Sequence, residues 1–376
     1  MFLLRLSLIV FAIFCAGLAA AYASGIWGLM SAGYPRAVWP ALGAYETVRG
    51  SSQPLARHPA LRSLNAHGQE IFATSGSRAL LALKDGRLAV ETYADRIGPE
   101  TRLNSYSLVK SLVGALVLKA HAEGKISSLE DPIGRYLVSF GSNGFRQIPI
   151  RKFLEMRSGV DFERNSSDKG GHLTHANPFG NLASLHADGV RAIAGRLEPK
   201  PELLGQFSYQ NVNSAILGHL LTELYGRPLH ALLSEKIWYP AGAADAFWLR
   251  HIETTDVTPY CCLYATARDW VKVGHFLMTN GGEEAPFLPE GLKRQLFGTH
   301  LQSSDLATGV YGLHLRHNVL DRDGEDLQGR FSYMMGQGGQ VVYMMPERDL
   351  IVVRFGEEHA LLHSTLYSSW NSLHKE

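Results

Sequence analysis

The sequence predicts a mixed α/β (α+β) fold, a mostly antiparallel sheet flanked by helices with a helical lobe inserted between its strands. Three observations carry this. Hairpin patterns stand near both ends of the domain: apolar runs at 79–83 and 88–93 flank Lys84-Asp85-Gly86-Arg87, and runs at 340–345 and 350–355 flank Pro346-Glu347-Arg348-Asp349. Between them, residues 126–300 read as mixed but mainly helical. A last helical pattern over 361–373 closes the chain. Strands at the two ends with helices between them suit one antiparallel sheet carrying helices on its faces, plus a lobe.

The individual helices follow from spacing. Leu108, Val109, Leu112, Val113, Leu116, Val117 and Ala120 recur at helical intervals, so a buried-face helix is expected over 107–122, ended by Gly124. A second is expected over 212–225, closed by Gly226 and Pro228. A third is expected over 266–277, before Asn280-Gly281-Gly282. Residues 36–66 hold Pro40, Pro54 and Pro59 among polar residues and read as a linker with local packing, before a domain spanning 67–376.

The first 35 residues differ from the rest. No charge occurs from Leu6 to Pro35, and Arg5 precedes that stretch. Two readings stand. Ala21-Tyr22-Ala23 before Ser24 suits cleavage of a signal peptide, whereas an apolar run continuing through Ile26-Trp27-Gly28-Leu29-Met30 suits a retained anchor over residues 6–30. Both export the domain to a periplasmic or other extracytoplasmic space, and the longer run favours the anchor.

Composition narrows the function classes. The 376 residues are 45% hydrophobic and 19% charged, which excludes disorder, collagen and coiled coil as global descriptions. Lys+Arg is 36 against Asp+Glu 35, a net charge of +1, so no basic surplus recommends a nucleic-acid partner. Three cysteines are too few for a disulfide framework, and adjacent Cys261 and Cys262 read as two buried thiols. No metal role is expected. His359 and His363 share helical spacing without a completing carboxylate, and His172 and His175 read the same way. No organic cofactor motif occurs. The scattered tryptophans Trp238, Trp248, Trp270 and Trp370 read as core.

Nucleophile motifs remain. Neither G-x-S-x-G nor H-E-x-x-H occurs. S-x-x-K occurs three times, at Ser107…Lys110, Ser166…Lys169 and Ser372…Lys375. With 29 Ser and 11 Lys, chance gives roughly one, so context must decide. Ser166 lies in a polar stretch and Ser372 near the charged C-terminus; Ser107 alone opens a strongly apolar helix. One helical turn puts Ser107 and Lys110 on the same face. Burial and the positive end of the helix dipole both disfavour an ammonium there, leaving an amine able to take the serine proton. The plain alternative is a capping serine and a solvated lysine. Tyr209-Gln210-Asn211 is the one Tyr-x-Asn among 15 tyrosines and opens a helix, where a phenol could relay a proton. Gly336-Gln337-Gly338-Gly339-Gln340 leads into the last hairpin, where glycines allow close approach to a ligand.

In this order the three elements resemble the serine β-lactamase and penicillin-binding protein superfamily, and within it the branch of class C β-lactamases, related esterases and 6-aminohexanoate-dimer hydrolases. Leu154-Glu155-Met156-Arg157-Ser158-Gly159-Val160, the stretch FSYQNVNSAILG from Phe207, CCLYATARDWVKVG from Cys261 and YMMPERDLIVVR from Tyr343 resemble the family's connecting segments. The likeness spans roughly 70–370. It implies a β-lactamase/transpeptidase-like fold, with Ser107 as acylated nucleophile and Lys110 and Tyr209 sharing acid/base work. It further implies that Asn211 holds Lys110 and the substrate amide, that Gln337, Gly338 and Gly339 line the substrate, and that the N–H groups of Ser107 and Gln340 form the oxyanion site. Gln337 departs from the family's Lys, His or Trp. The resemblance implies hydrolysis of small amides or esters. The alternatives are a D-Ala-D-Ala peptidase or β-lactamase, and a non-catalytic binding protein keeping the fold.

Overall fold

The computed structural model describes residues 2–23, 36–163, 181–251, 254, 256–306, 308–320, 329–357 and 362–374. The Ser166…Lys169 motif, the histidines at 172 and 175, His359, Lys375 and the continuation of the apolar run past residue 23 lie outside them.

Among the described residues twelve strands form two sheets. They are β1 Ala44–Val48, β2 Arg57–Arg62, β3 Ser77–Lys84, β4 Arg87–Tyr93, β5 Arg102–Asn104, β6 Ala246–Arg250, β7 Leu263–Thr266, β8 Val310–Gly312, β9 Leu315–Leu320, β10 Gly329–Gly336, β11 Gln340–Met345 and β12 Leu350–Gly356. The larger sheet runs β2-β4-β3-β12-β11-β10-β9-β8 and the smaller β1-β6-β7-β5. All pairings are antiparallel except β2 with β4. Both expected hairpins form, as β3–β4 and β11–β12. The principal helices are α1 Phe2–Ala23, α2 Ala66–Thr74, α3 Leu108–Ala122, α4 Asn181–Ala192, α5 Asn211–Tyr225, α6 Ala267–Met278, α7 Glu290–Leu296 and α8 Leu362–His374. The four helices expected from spacing are α3, α5, α6 and α8, each within a residue or two. Gly226 closes α5 with φ 60°, the left-handed turn that glycine adopts freely.

Two expectations need correcting. Residues 36–66 do more than link, because β1 pairs with β6 and β2 with β4. The middle block also carries β6 and β7, which build the second sheet. Strands this short, paired with partners up to about 200 residues away, leave no local period to read.

Alternation builds the core. Leu81, Leu83, Val342, Met344, Ile351 and Val353 face α3 and α6 on one side of the large sheet. Leu80, Ala82, Val341, Tyr343, Leu350 and Val352 face the other side, towards Leu366 and Trp370 of α8. Strand β12 is therefore buried on both faces. Each such side chain contributes about 1.5–3 kcal/mol by leaving water, so α3 is held rigidly against the sheet. Helix α1 differs: the apolar side chains of Leu8, Phe11, Ile13 and Phe14 are 61–68% exposed. Among the described residues no helix is long and apolar enough to cross a membrane.

Candidate active site

The site forms where the start of α3 meets the start of α5, under the end of β10. The turn before α3 is tight. Tyr106 adopts φ 44°, a left-handed conformation that costs a bulky residue energy. The surroundings hold it there. Asn104 Oδ1 accepts from Tyr106 N–H at 2.8 Å, Tyr106 C=O accepts from Cys262 N–H, and Ser105 Oγ accepts from Leu263 N–H at 3.0 Å. Gly336, the last residue of β10, lies against this turn. A Cβ there would come 2.4 Å from the Ser105 carbonyl oxygen and 3.1 Å from the Ser107 nitrogen, so only glycine lets the strand approach.

Ser107 precedes the first turn of α3, but its side chain makes no capping bond. Its Oγ lies 2.7 Å from Lys110 Nζ instead. The capping alternative therefore fails, and the hydroxyl is committed to the lysine. Lys110 is 1% exposed. Its second partner is the Tyr260 carbonyl oxygen at 2.7 Å, and its Nζ stands 5.2 Å from the Tyr209 ring centroid. Burial lowers the Lys110 pKa, opposed by Tyr209 and Glu163 and assisted by Arg316. A lowered lysine beside a hydroxyl is the arrangement that can accept a serine proton.

The second helix start is held by a residue that the sequence reading missed. Glu163 accepts from Val212 N–H at 2.6 Å and from the Asn211 amide at 3.0 Å, supplying the cap that Gln210 does not. Gln210 in turn accepts from the N–H groups of Phe162 and Glu163. Burial raises the Glu163 carboxyl to about 7, against the pull of Val212, Lys110 and Asn211. No local signal marks it, because it caps a helix that begins 48 residues later in the chain.

Ser107, Lys110 and Tyr209 thus come together. Asn211 stands beside them, but its amide bonds Glu163, and the polar partner expected of it at Lys110 is the Tyr260 carbonyl. Gln337 is an exposed residue of the turn after β10, and Gly338 and Gly339 complete that turn with φ 76° and 74°. The turn is clamped from below: buried Arg354 donates to Gly339 C=O at 2.8 Å and to Ser77 Oγ at 2.8 Å. Gln340 pairs across the strands with Gly336, and its side chain turns inward to the Gly356 backbone. Cys261 and Cys262 are not free thiols; the structure joins them as a disulfide between adjacent residues, within the segment that anchors Lys110 and the Tyr106 turn. Cys262 has φ 73°, which brings the two side chains to the same side. Among the described residues no cluster suited to a metal ion occurs.

A family model described as Beta-lactamase matches residues 75–357. A 6-aminohexanoate-dimer hydrolase from Paenarthrobacter ureafaciens is 21% identical over 245 residues, 61% of this chain and 59% of that one. A D-aminopeptidase from Brucella anthropi is 29% identical over 178 residues, 45% of this chain and 32% of that one. The chain therefore spans between a third and three fifths of the length of these curated relatives. Among solved structures, a candidate 6-aminohexanoate-dimer hydrolase from Bacillus anthracis superposes with TM-score 0.70 at 18% identity, covering 87% of this chain and 89% of that one. A class C beta-lactamase from Rhodobacter sphaeroides superposes with TM-score 0.55 at 14% identity, covering 82% and 97%. The expected β-lactamase/transpeptidase-like fold is the fold found.

Proposed function

The chain belongs to the beta-lactamase family, and from that premise we propose that it is a serine hydrolase acting on small amides or esters through an acyl-enzyme on Ser107. One observation carries the reading: a serine hydroxyl withheld from capping and placed 2.7 Å from the amine of a 1%-exposed lysine. In the first step Ser107 Oγ attacks the substrate carbonyl carbon while its proton passes to neutral Lys110 Nζ. The C–N or C–O bond breaks as Lys110 and Tyr209 return the proton to the leaving amine or alcohol. Water then attacks the acyl ester, its proton takes the same route, and the acid leaves with Ser107 regenerated. The Ser107 N–H, at the positive end of α3, supports the oxyanion. The 6-aminohexanoate-dimer hydrolase and D-aminopeptidase relatives support the amide class. Fluorophosphonate labelling tests the reading: Ser107 should be modified and Ser107→Ala should not. Labelling that persists in the variant would assign the nucleophile elsewhere.

The same reading includes export. Its support is the uncharged stretch from Leu6 to Pro35 and the exposed apolar side chains of α1. Full-length protein should sediment with membranes, resist salt and dissolve in detergent. A soluble mature form starting at Ser24 would establish a cleaved signal, and a soluble uncleaved form in the cytoplasm would refute export.

A further inference from the structure

The segment that holds Ser107 and Lys110 in place carries a group that hydrolysis itself does not use, the disulfide between adjacent Cys261 and Cys262. On one side of it, Tyr260 C=O accepts from Lys110 Nζ at 2.7 Å. On the other, Leu263 C=O accepts from Ser105 N–H at 2.9 Å, and Leu263 N–H donates to Ser105 Oγ at 3.0 Å. Cys262 N–H itself donates to Tyr106 C=O at 3.3 Å. Residues 260–263 therefore fix both the lysine and the turn that presents Ser107. Cys262 adopts φ 73°, a left-handed conformation that glycine takes freely and a residue with a Cβ takes at a cost. The disulfide closes a small ring through the peptide bond between the two cysteines, so it restrains that conformation covalently. With the ring open, rotation at Cys262 towards an ordinary φ swings Tyr260 and Cys261 relative to Leu263. That motion takes the Tyr260 carbonyl from Lys110 and the Cys262 N–H from Tyr106. Cys262 is fully buried, but Cys261 is partly exposed, so a small thiol can reach its sulfur.

We propose that the Cys261–Cys262 disulfide is a redox-controlled positioning element: closed, it holds Ser107 and Lys110 in reacting geometry, and its reduction by a dithiol turns hydrolysis down. One thiolate of the dithiol attacks Cys261 Sγ, the Sγ–Sγ bond breaks, and Cys262 leaves as a thiolate that takes a proton. The second thiol of the reductant then displaces Cys261 from the mixed disulfide. The pair ends as two thiols and the reductant as a disulfide, a transfer of two electrons and two protons. The oxidising space outside the cytoplasm, to which the proposed export delivers the chain, keeps the pair closed, so activity is tied to export. This rests on the serine-hydrolase reading and adds a control to the same site.

The test uses the full chain carrying Cys15→Ser, which leaves no cysteine besides the pair. Hydrolysis of 4-nitrophenyl pentanoate is measured before and after treatment with dithiothreitol, with iodoacetamide and mass spectrometry counting free thiols. Reduction should open two sites to iodoacetamide and lower kcat about tenfold or more while KM stays within about twofold, and oxidised glutathione should restore the rate. Melting of both forms shows that each is folded at the assay temperature; a loss of activity that only accompanies unfolding overturns the proposal. Two substitutions separate the backbone conformation from the sulfur. Neither Cys262→Gly nor Cys262→Ala forms the disulfide, and neither should respond to dithiothreitol. Cys262→Ala should match the reduced enzyme, and Cys262→Gly should be several-fold more active than Cys262→Ala, because glycine holds a left-handed φ without a ring. If Cys262→Ala fails to fold, Cys262→Gly compared with the reduced enzyme still decides. A pair alkylated without any reductant, or equal kcat in the two forms, overturns the proposal. If a fluorophosphonate labels Ser107 equally fast in both forms, this proposal fails alone. If Ser107 is labelled in neither, the serine-hydrolase reading fails with it.

Discussion

The two helix starts that meet in the site are built in opposite ways. At α3, Ser107 and Lys110 are bonded to each other, and the turn before them is tied by backbone and side-chain bonds to 260–263. Lys110 is 1% exposed. At α5, Tyr209 is 37% exposed; its side chain hydrogen-bonds Lys110, and its ring meets Tyr311 edge to face and the Arg316 guanidinium through its face. The first arrangement keeps an amine dry and a hydroxyl fixed beside it, as proton transfer requires. The second leaves an aromatic surface open to a substrate. The contrast teaches that one half of the site is shaped for chemistry and the other for recognition, and substitutions should separate the two.

The largest effects belong to the three residues proposed to move the proton, which span both halves. Ser107→Ala should lower kcat by about 10⁴-fold or more with the fold intact, measured by ester hydrolysis alongside thermal melting. Lys110→Ala and Tyr209→Phe should each be severe, and the double variant little worse than either, as for groups that move one proton together. Penalties that multiply would show that Tyr209 works independently of Lys110 and would count against a shared proton relay.

Glu163 connects the halves, so its loss is expected to be intermediate. Glu163→Gln should cut kcat/KM roughly tenfold, about the 1.4 kcal/mol of one charge-assisted bond to the α5 start. The pH profile separates this from a structural effect. The Glu163 carboxylate raises the Lys110 pKa, so removing its charge should move the acid limb of the profile to lower pH. An acid limb that stays in place would mean that Glu163 only holds α5.

Stability against acid tests the same connection. His314 is fully buried between the two helices: its backbone C=O accepts from Ser111 Oγ of α3 at 2.6 Å, its Nδ1–H faces the Leu154 carbonyl, and its Nε2 accepts from Ser214 of α5 at 2.8 Å. Burial lowers its pKa to about 4, and that of His317 likewise. Near pH 5 the unfolded chain, with ordinary histidines at about 6.5, binds protons that the folded one refuses. Each histidine's contribution is intact above pH 6.5 and is lost as pH drops towards 4, by up to about 3 kcal/mol. The Glu163 carboxyl, raised to about 7, contributes in the opposite sense between pH 7 and 4.5, so the difference between wild type and a histidine variant isolates the histidine. Melting from pH 7 to 4.5 measures this, and His317→Gln should flatten the dependence. An unchanged slope would show that these histidines do not govern acid lability.

What the sequence made legible follows the same division. Ser107 and Lys110 are one turn apart and open an apolar helix, so spacing together with that context singles them out among three S-x-x-K pairs. Tyr209 needed the order of three motifs as well. Glu163 and Arg316 were invisible, since each acts on a helix start that lies 48 or more residues away in the chain and neither sits in a local pattern. The same reason hid β6 and β7: four or five residues paired to distant strands carry no period. Asn211 was placed correctly at the helix start, but its partner came from another segment.

The smallest effect should come from Gln337. By resemblance it stands where relatives carry a Lys or His, so Gln337→Lys would be expected to favour carboxylate substrates by up to about tenfold. Its place in the structure argues for less. Strand β10 ends at Gly336, which fills the contact with Ser107, and Gln337 follows on the exposed turn. A lysine there stays in water, where an exposed ion pair gives 0–1 kcal/mol and salt screens it further. The change in preference between mono-4-nitrophenyl glutarate and 4-nitrophenyl pentanoate, esters of matched length that differ by a carboxylate, should therefore stay within about threefold. The measurement is made on wild type and Gln337→Lys with both esters at low salt, where screening is least. A tenfold gain on the glutarate ester alone would show that the turn beside Ser107 faces the substrate's charged end, and that recognition belongs to that turn rather than to the aromatic surface at the start of α5.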